Sequence, residues 1–136
     1  MFTVIKRLEF CYGHRLLDYQ GKCAHPHGHN AEVEIEISSP DLDAAGMVID
    51  FGEISERVCR FIEQELDHRM ILRQDDPLLA WLKEQGEPVH VMEVNPTAEN
   101  LARLIWDRAR LEGLPVRAVR FWETPRACAE YRPASL

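Results

Sequence analysis

The chain has 136 residues, of which 46% are hydrophobic and 29% charged, and it carries a formal net charge of -7. This size and composition are typical of one globular domain, spanning residues 1–136, and argue against a disordered chain. The negative charge disfavours nucleic-acid binding, which usually needs a basic face. No apolar run approaches the roughly 20 residues of a membrane span, and no signal-peptide pattern opens the chain, so we expect a cytoplasmic protein.

The first segment of the chain predicts a half-buried strand. From Phe2 to His14 the even positions are mostly apolar, and the odd positions are more polar. A second strand is predicted over Ala31–Ile37, where apolar residues alternate with glutamates that we expect on a solvated face or at a subunit contact. If the two strands pair antiparallel through the loop 16–26, His14 comes to lie beside His27 and His29.

The seven residues from Cys23 to His29 contain one thiol and three imidazoles. His27 and His29 are two positions apart, so in an extended chain both rings leave the same side of the backbone and can reach one metal ion. Zinc accepts imidazole and thiolate ligands, and a catalytic zinc site uses three of them with a fourth position open. The alternative is a chance cluster on a solvated loop. The cluster alone does not decide which of its four side chains bind.

The remaining cysteines, Cys11, Cys59 and Cys128, lie inside apolar patterns, where packing is the default role. No Cys-x-x-Cys pair is present, so neither a zinc ribbon nor a disulfide framework is indicated.

The rest of the chain predicts helices and strands in alternation. Asp50 has the position of an N-cap for a helix over about 51–66, which ends at an adjacent Asp67 and His68. That pair is either a polar helix end or an acid/base unit in which the carboxylate orients the imidazole. The further predicted elements are a short helix after Asp76-Pro77, a strand over 89–94, a helix starting near Thr97, and strands over 116–123 and 127–132. This order favours an antiparallel sheet with both main helices on one face.

Taken together, six motifs resemble the 6-pyruvoyltetrahydropterin synthase family, and more closely its bacterial 6-carboxytetrahydropterin synthase branch of queuosine biosynthesis. The motifs are Tyr-Gly-His14-Arg-Leu, Cys23-Ala-His-Pro-His27-Gly-His29, Val-Ile-Asp50-Phe, Leu-Asp67-His68, Asn-Pro-Thr97-Ala-Glu99-Asn and Trp-Glu123-Thr124. They span nearly the whole chain in the family's order.

The resemblance implies an α+β tunnelling fold, with a four-stranded antiparallel sheet, two helices on one face and assembly into an oligomeric barrel. It implies a homohexamer, a dimer of trimers, with active sites between subunits. The implied enzyme is a zinc-dependent lyase that converts 7,8-dihydroneopterin triphosphate to 6-carboxy-5,6,7,8-tetrahydropterin, releasing acetaldehyde and triphosphate. The alternatives are triphosphate elimination alone, which gives the pyruvoyl product, and a non-catalytic module stabilised by zinc.

The resemblance also assigns roles to residues. It implies zinc on His14, His27 and His29, Cys23 as a general base, and Asp67 with His68 as a second proton-transfer unit. Glu123 would bind the 2-aminopyrimidinone edge of the pterin, and Thr97 would lie at the substrate. Arg15, Lys22 and Arg69 stand next to the motifs and are candidates for the triphosphate.

Two features depart from the family pattern. His25 is an extra imidazole beside Cys23, and it could compete for zinc or assist proton transfer. The segment 70–94 is longer than the corresponding link in compact bacterial members.

Overall fold

Two long antiparallel strands form the centre of the fold. In a computed structural model that describes residues 1–135, β1 (Phe2–His14) pairs with β2 (His27–Ser39) over their full lengths. The register places Phe2 opposite Ser39 and His14 opposite His27, which confirms the predicted pairing. The last residue of the predicted domain, 136, lies outside the described range.

Four further strands complete a mixed sheet. They are β3 (Arg69–Arg73), β4 (Val89–Met92), β5 (Val116–Thr124) and β6 (Ala127–Tyr131). The sheet order is β4-β3-β1-β2-β5-β6, with β3 parallel to both β1 and β4 and the other pairs antiparallel. The expectation of a four-stranded antiparallel sheet is therefore wrong in strand number and direction. Strand β3 has no alternating pattern because neighbouring Ile71 and Leu72 are both fully buried, each in a different hydrophobic cluster.

Three helices accompany the sheet, where the resemblance implies two. Helix α1 covers residues 51–65 and contains a π-helical turn at Ser55–Cys59; α2 is Leu78–Glu84 and α3 is Ala98–Leu111. Asp50 caps α1 as predicted, because its Oδ1 accepts a hydrogen bond from the Gly52 N–H at 2.7 Å. No helix among residues 1–135 is long and apolar enough to cross a membrane.

The sheet separates two hydrophobic clusters. Its first face carries the even-numbered residues of β1 and packs against α1 and α3, as predicted for the two main helices. Its second face carries the odd-numbered residues of β1. Helix α2 packs on this face, where its Leu79 and Leu82 contact Leu72 of β3. The long segment 70–94 therefore adds two strands and a helix that covers part of the second face.

The glutamates of β2 are not simply solvated. Glu34 and Glu36 are buried on the second face, where Glu34 accepts hydrogen bonds from Arg7 at 2.9 Å and from the Trp122 indole at 3.0 Å. Burial raises the pKa of Glu36, but hydrogen bonds from Arg132 and Arg120 outweigh it and hold that pKa below its usual value. These carboxylates belong to an ion-pair network across β2, β5 and β6.

Candidate metal centre and catalytic residues

Three histidines converge on the first face of the sheet. His14 ends β1 and is 2% exposed, His27 lies directly opposite it on β2, and His29 lies opposite Tyr12. The Nε2 atoms of His14 and His27 are 3.0 Å apart, and one ring nitrogen of each of the three histidines lies within 4.8 Å of the others. The alternation of the two strands thus brings together the three ligands that the resemblance implies.

Backbone carbonyls fix the tautomers of two of these rings. The Nδ1–H of His14 donates to the Pro96 carbonyl at 2.7 Å, and the Nδ1–H of His27 donates to the His25 carbonyl at 2.7 Å. A carbonyl oxygen only accepts, so in both rings the proton lies on Nδ1. In the neutral rings the two Nε2 atoms then face each other with lone pairs, an arrangement that a shared cation stabilises.

A shared proton is a poor candidate for that cation. Burial lowers the pKa of His14 to about 4, with the Pro96 hydrogen bond opposing and the neighbouring His27 and His29 adding to the shift. Burial also lowers the pKa of His29. Both shifts favour the neutral form of the His14 and His29 rings, which is the form that binds metal.

The donor set fits a zinc ion. The buried Nε2 of His29 has no hydrogen-bond partner among residues 1–135, so it is a free donor atom at the cluster. Two imidazole nitrogens bound to one tetrahedral zinc lie about 3.3 Å apart, close to the 3.0 Å between His14 and His27. With three protein ligands, a fourth position would be open to substrate.

Glu123 lies at the edge of the histidine cluster. It is the last residue but one of β5, and its Oε2 is 3.9 Å from the Nε2 of His29. Burial, and secondarily the negative charge of the nearby Glu123, raises the pKa of Tyr12. Its side chain remains 27% exposed, so a ligand can reach it.

Cys23 is held near the start of β2 but stands outside the cluster. It lies in a short 3₁₀ turn, Lys22–Ala24, and its carbonyl accepts from the Leu16 N–H at 2.8 Å. The thiol is half-buried, and within residues 1–135 it joins neither group of clustered metal-type ligands. The ring of His25 is exposed and also lies outside the cluster, so its contribution here is the carbonyl that holds His27.

Asp67 and His68 form the predicted pair, but on the second face of the sheet. Asp67 Oδ1 is 2.9 Å from His68 Nδ1, and it also accepts the Cys11 N–H at 3.0 Å. His68 Nε2 is 3.4 Å from the Cys11 sulfur. Because Cys11 is an odd-numbered residue of β1, this group faces away from the histidines of its own chain.

Two of the three triphosphate candidates have other partners within the chain. The Arg15 guanidinium forms a two-pronged ion pair with the buried carboxylate of Asp76, and it holds the pKa of that carboxyl below its usual value. The Arg69 guanidinium donates to the Gln64 carbonyl at 2.8 Å. Lys22 is exposed.

Thr97 also has a structural contact, because its hydroxyl accepts from the Asn100 N–H at 3.2 Å and caps α3. Pro96, the residue before it, holds His14. The Asn-Pro-Thr motif thus both orients a candidate metal ligand and starts a helix.

Sequence reasoning missed the contact of Cys11 with His68. The available signal was that Cys11 occupies an odd-numbered position of β1, which puts it on the face opposite to its apolar neighbours.

The three histidines on this sheet form a group that could hold a metal ion, and the chain as a whole is of the pterin synthase class. Residues 3–134 match the family model described as 6-pyruvoyl tetrahydropterin synthase, and the chain belongs to this family. It is 36% identical to the 6-carboxy-5,6,7,8-tetrahydropterin synthase of Rickettsia conorii, over 96% of this chain and 99% of that protein.

Solved structures agree on the fold. An uncharacterized protein from Wolinella succinogenes superposes with a TM-score of 0.78 at 28% identity, covering 96% of this chain and 97% of its own. The 6-pyruvoyl tetrahydropterin synthase of Caenorhabditis elegans gives a TM-score of 0.73 at 21% identity, covering 98% and 96%. The second likeness concerns the fold alone.

Proposed function

We propose that this protein is a zinc-dependent 6-carboxy-5,6,7,8-tetrahydropterin synthase that acts on 7,8-dihydroneopterin triphosphate and releases acetaldehyde and triphosphate. The observation that carries the proposal is the pair of facing Nε2 lone pairs of His14 and His27, with the unpartnered Nε2 of His29 beside them. The full-length likeness to a relative with this printed name supports the product. We place the activity in queuosine and 7-deazapurine biosynthesis.

His14, His27 and His29 would hold the zinc ion. When bound, zinc would supply a Lewis acid that acidifies the side-chain hydroxyls of the substrate and stabilises the negative charge that follows deprotonation of a neighbouring C–H. Glu123 lies beside the cluster and is partly exposed, so it would accept two N–H bonds from the 2-aminopyrimidinone edge of the pterin and orient its side chain toward the histidines.

Proton transfer would use Cys23 together with the Asp67–His68 pair. Cys23 would remove a substrate proton, and Asp67 orients the His68 ring through Nδ1, which leaves Nε2 to exchange protons. Of the triphosphate candidates, Lys22 has the exposed ammonium that an anion could reach, whereas Arg15 is paired with Asp76. We therefore favour Lys22 for this role over Arg15 and Arg69.

The placement of these residues supports an active site shared between subunits. Asp67 and His68 lie on the second face of the sheet, while the histidine cluster lies on the first, so one chain alone does not bring them together. We propose that His68 of the partner subunit completes the site, in a homohexamer built as a dimer of trimers.

The direct test is to incubate the zinc-loaded protein with 7,8-dihydroneopterin triphosphate and to follow pterins and acetaldehyde by mass spectrometry. The proposal predicts carboxytetrahydropterin with acetaldehyde. Pyruvoyltetrahydropterin without acetaldehyde would instead assign the alternative activity, which the description of the matching family model favours. Absence of turnover in zinc-loaded protein, with collapse of the fold on chelation, would indicate a non-catalytic zinc module.

Cys23→Ala separates its proposed role from metal binding. This variant should keep its zinc and its fold and lose turnover, whereas stoichiometric loss of zinc would make Cys23 a ligand.

The shared site is tested by mixing two inactive variants. When Cys23→Ala and His68→Asn chains are co-assembled in equal amounts, random pairing across an interface gives about a quarter of the sites an intact Cys23 and an intact His68. Activity near that fraction is expected. If both residues acted within one chain, the mixture would stay inactive.

A further inference from the structure

We propose that Cys11, His68 and Asp67 form a nucleophilic thiol site that reacts with soft electrophiles and does not include the three histidines of the cluster. The thiol lies 3.4 Å from His68 Nε2, and His68 Nδ1 lies 2.9 Å from Asp67 Oδ1. In covalent catalysis, thiols and hydroxyls are activated by an imidazole that contacts the nucleophile through one ring nitrogen and a carboxylate through the other.

The backbone holds this arrangement in place. The His68 N–H donates to the Cys11 carbonyl at 2.7 Å, and the Cys11 N–H donates to Asp67 Oδ1 at 3.0 Å. His68 has a φ of +60°, a conformation that a non-glycine residue rarely adopts without support. The two hydrogen bonds to strand β1 provide that support for the backbone, and the Asp67 carboxylate holds the ring beside the thiol.

The site opens into a cavity of about 580 Å³. Met70, Trp81, Leu82 and Pro88 line one part of this cavity, and Tyr12 and His29 line another, so it also reaches the histidine cluster. Cys11 lies in its wall and is half-buried, and the His68 side chain is 77% exposed. A small electrophile with apolar character can therefore approach the sulfur beside its base.

Cys59 and Cys128 differ from Cys11 in burial and in the groups beside the thiol. Cys59 is buried, and burial raises the pKa of its thiol. Cys128 is exposed on β6, and partial burial together with the charge of Glu34 raises its pKa. Among these, Cys11 is the thiol with an imidazole at its sulfur and a carboxylate behind that imidazole.

The reaction with an alkylating probe balances without a further reagent. With iodoacetamide, the Cys11 sulfur forms a bond to the methylene carbon, the carbon–iodine bond breaks and iodide leaves. The thiol proton passes to His68 Nε2, and Asp67 stabilises the resulting imidazolium. If the proposed function holds, an adduct on Cys11 would also obstruct His68 and slow pterin turnover.

The test measures alkylation rates by peptide mass spectrometry, with iodoacetamide as the probe and no pterin present. The protein carries one zinc per chain, because surplus metal could occupy the Cys11–His68 pair. We expect Cys11 to react at least about tenfold faster than the more exposed Cys128. His68→Asn should lower the Cys11 rate by about tenfold or more and leave the Cys128 rate unchanged, and asparagine tolerates the left-handed backbone at this position.

Two results would overturn the proposal. Cys11 reacting no faster than Cys128 would show that the thiol is not activated. Fast reaction that persists in both His68→Asn and Asp67→Asn would show that access alone sets the rate. The alkylation rates are measured with no pterin present. A negative result for the thiol site is therefore distinguishable from a negative result for the proposed enzyme activity.

Discussion

The buried His14 should make the metal-free protein sensitive to mild acid. Its pKa is about 4 in the folded chain and about 6.5 in an unfolded one, because burial disfavours the charged ring. Between these values the unfolded chain binds a proton that the folded chain does not. Stability therefore falls as the pH drops below about 6.5, and the loss is complete below about 4.

The size of the effect follows from the two pKa values. At about pH 5 the unfolded ring is almost fully protonated and the folded ring almost fully neutral, so linkage gives a loss of about 2 kcal/mol relative to about pH 7.5. The full loss, reached below pH 4, is about 3 kcal/mol. Zinc would oppose this loss because it binds the neutral rings of the folded chain.

Urea unfolding of the metal-free protein, with chelator and a fixed protomer concentration, measures this loss. His14→Asn removes the titrating ring but keeps an N–H donor for the Pro96 carbonyl, so its loss of stability between the two pH values should be smaller by about 2 kcal/mol. His25→Asn is the matched control, because this ring is exposed. An unchanged pH dependence in His14→Asn would refute the reasoning.

Four further substitutions test particular residues. Gly28→Ala would place a Cβ 3.1 Å from a backbone oxygen of the opposite strand, so we expect zinc affinity, measured by competition with a chromophoric chelator, to fall by about tenfold. Asp50→Ala removes the cap of α1 and should lower the free energy of unfolding by about 1 kcal/mol in urea titrations. Arg15→Gln should cost about 2 kcal/mol because it leaves a buried carboxylate unpaired, whereas Lys22→Gln should leave the Tm unchanged and raise the KM for the pterin triphosphate.

The part of the site that sequence could predict is the part built from strand alternation. The alternation of side chains along each strand places His14, His27 and His29 on one side of a two-stranded pair. The register of the pair places His14 opposite His27. The helix caps at Asp50 and Thr97 were predictable for a similar reason, because capping depends on residues within one turn.

Contacts between distant segments could not be predicted in this way. Arg15 stands next to a proposed metal ligand in sequence, but its guanidinium pairs with Asp76, 61 residues further on. Strand β3 has buried residues on both faces, so it lacks the periodicity by which a strand is recognised. The contact of Cys11 with His68 spans 57 residues and depends on how β3 joins the edge of β1.

The hydrogen bond from His14 to Pro96 has a consequence for the order in which the protein matures. It joins two segments 82 residues apart, so one proposed metal ligand takes its final orientation only when α3 has packed against the sheet. An unfolded or partly synthesised chain offers His27 and His29 without the third, correctly turned ring. We therefore expect zinc to be acquired by the folded protein, as a late step that follows the formation of this long-range contact.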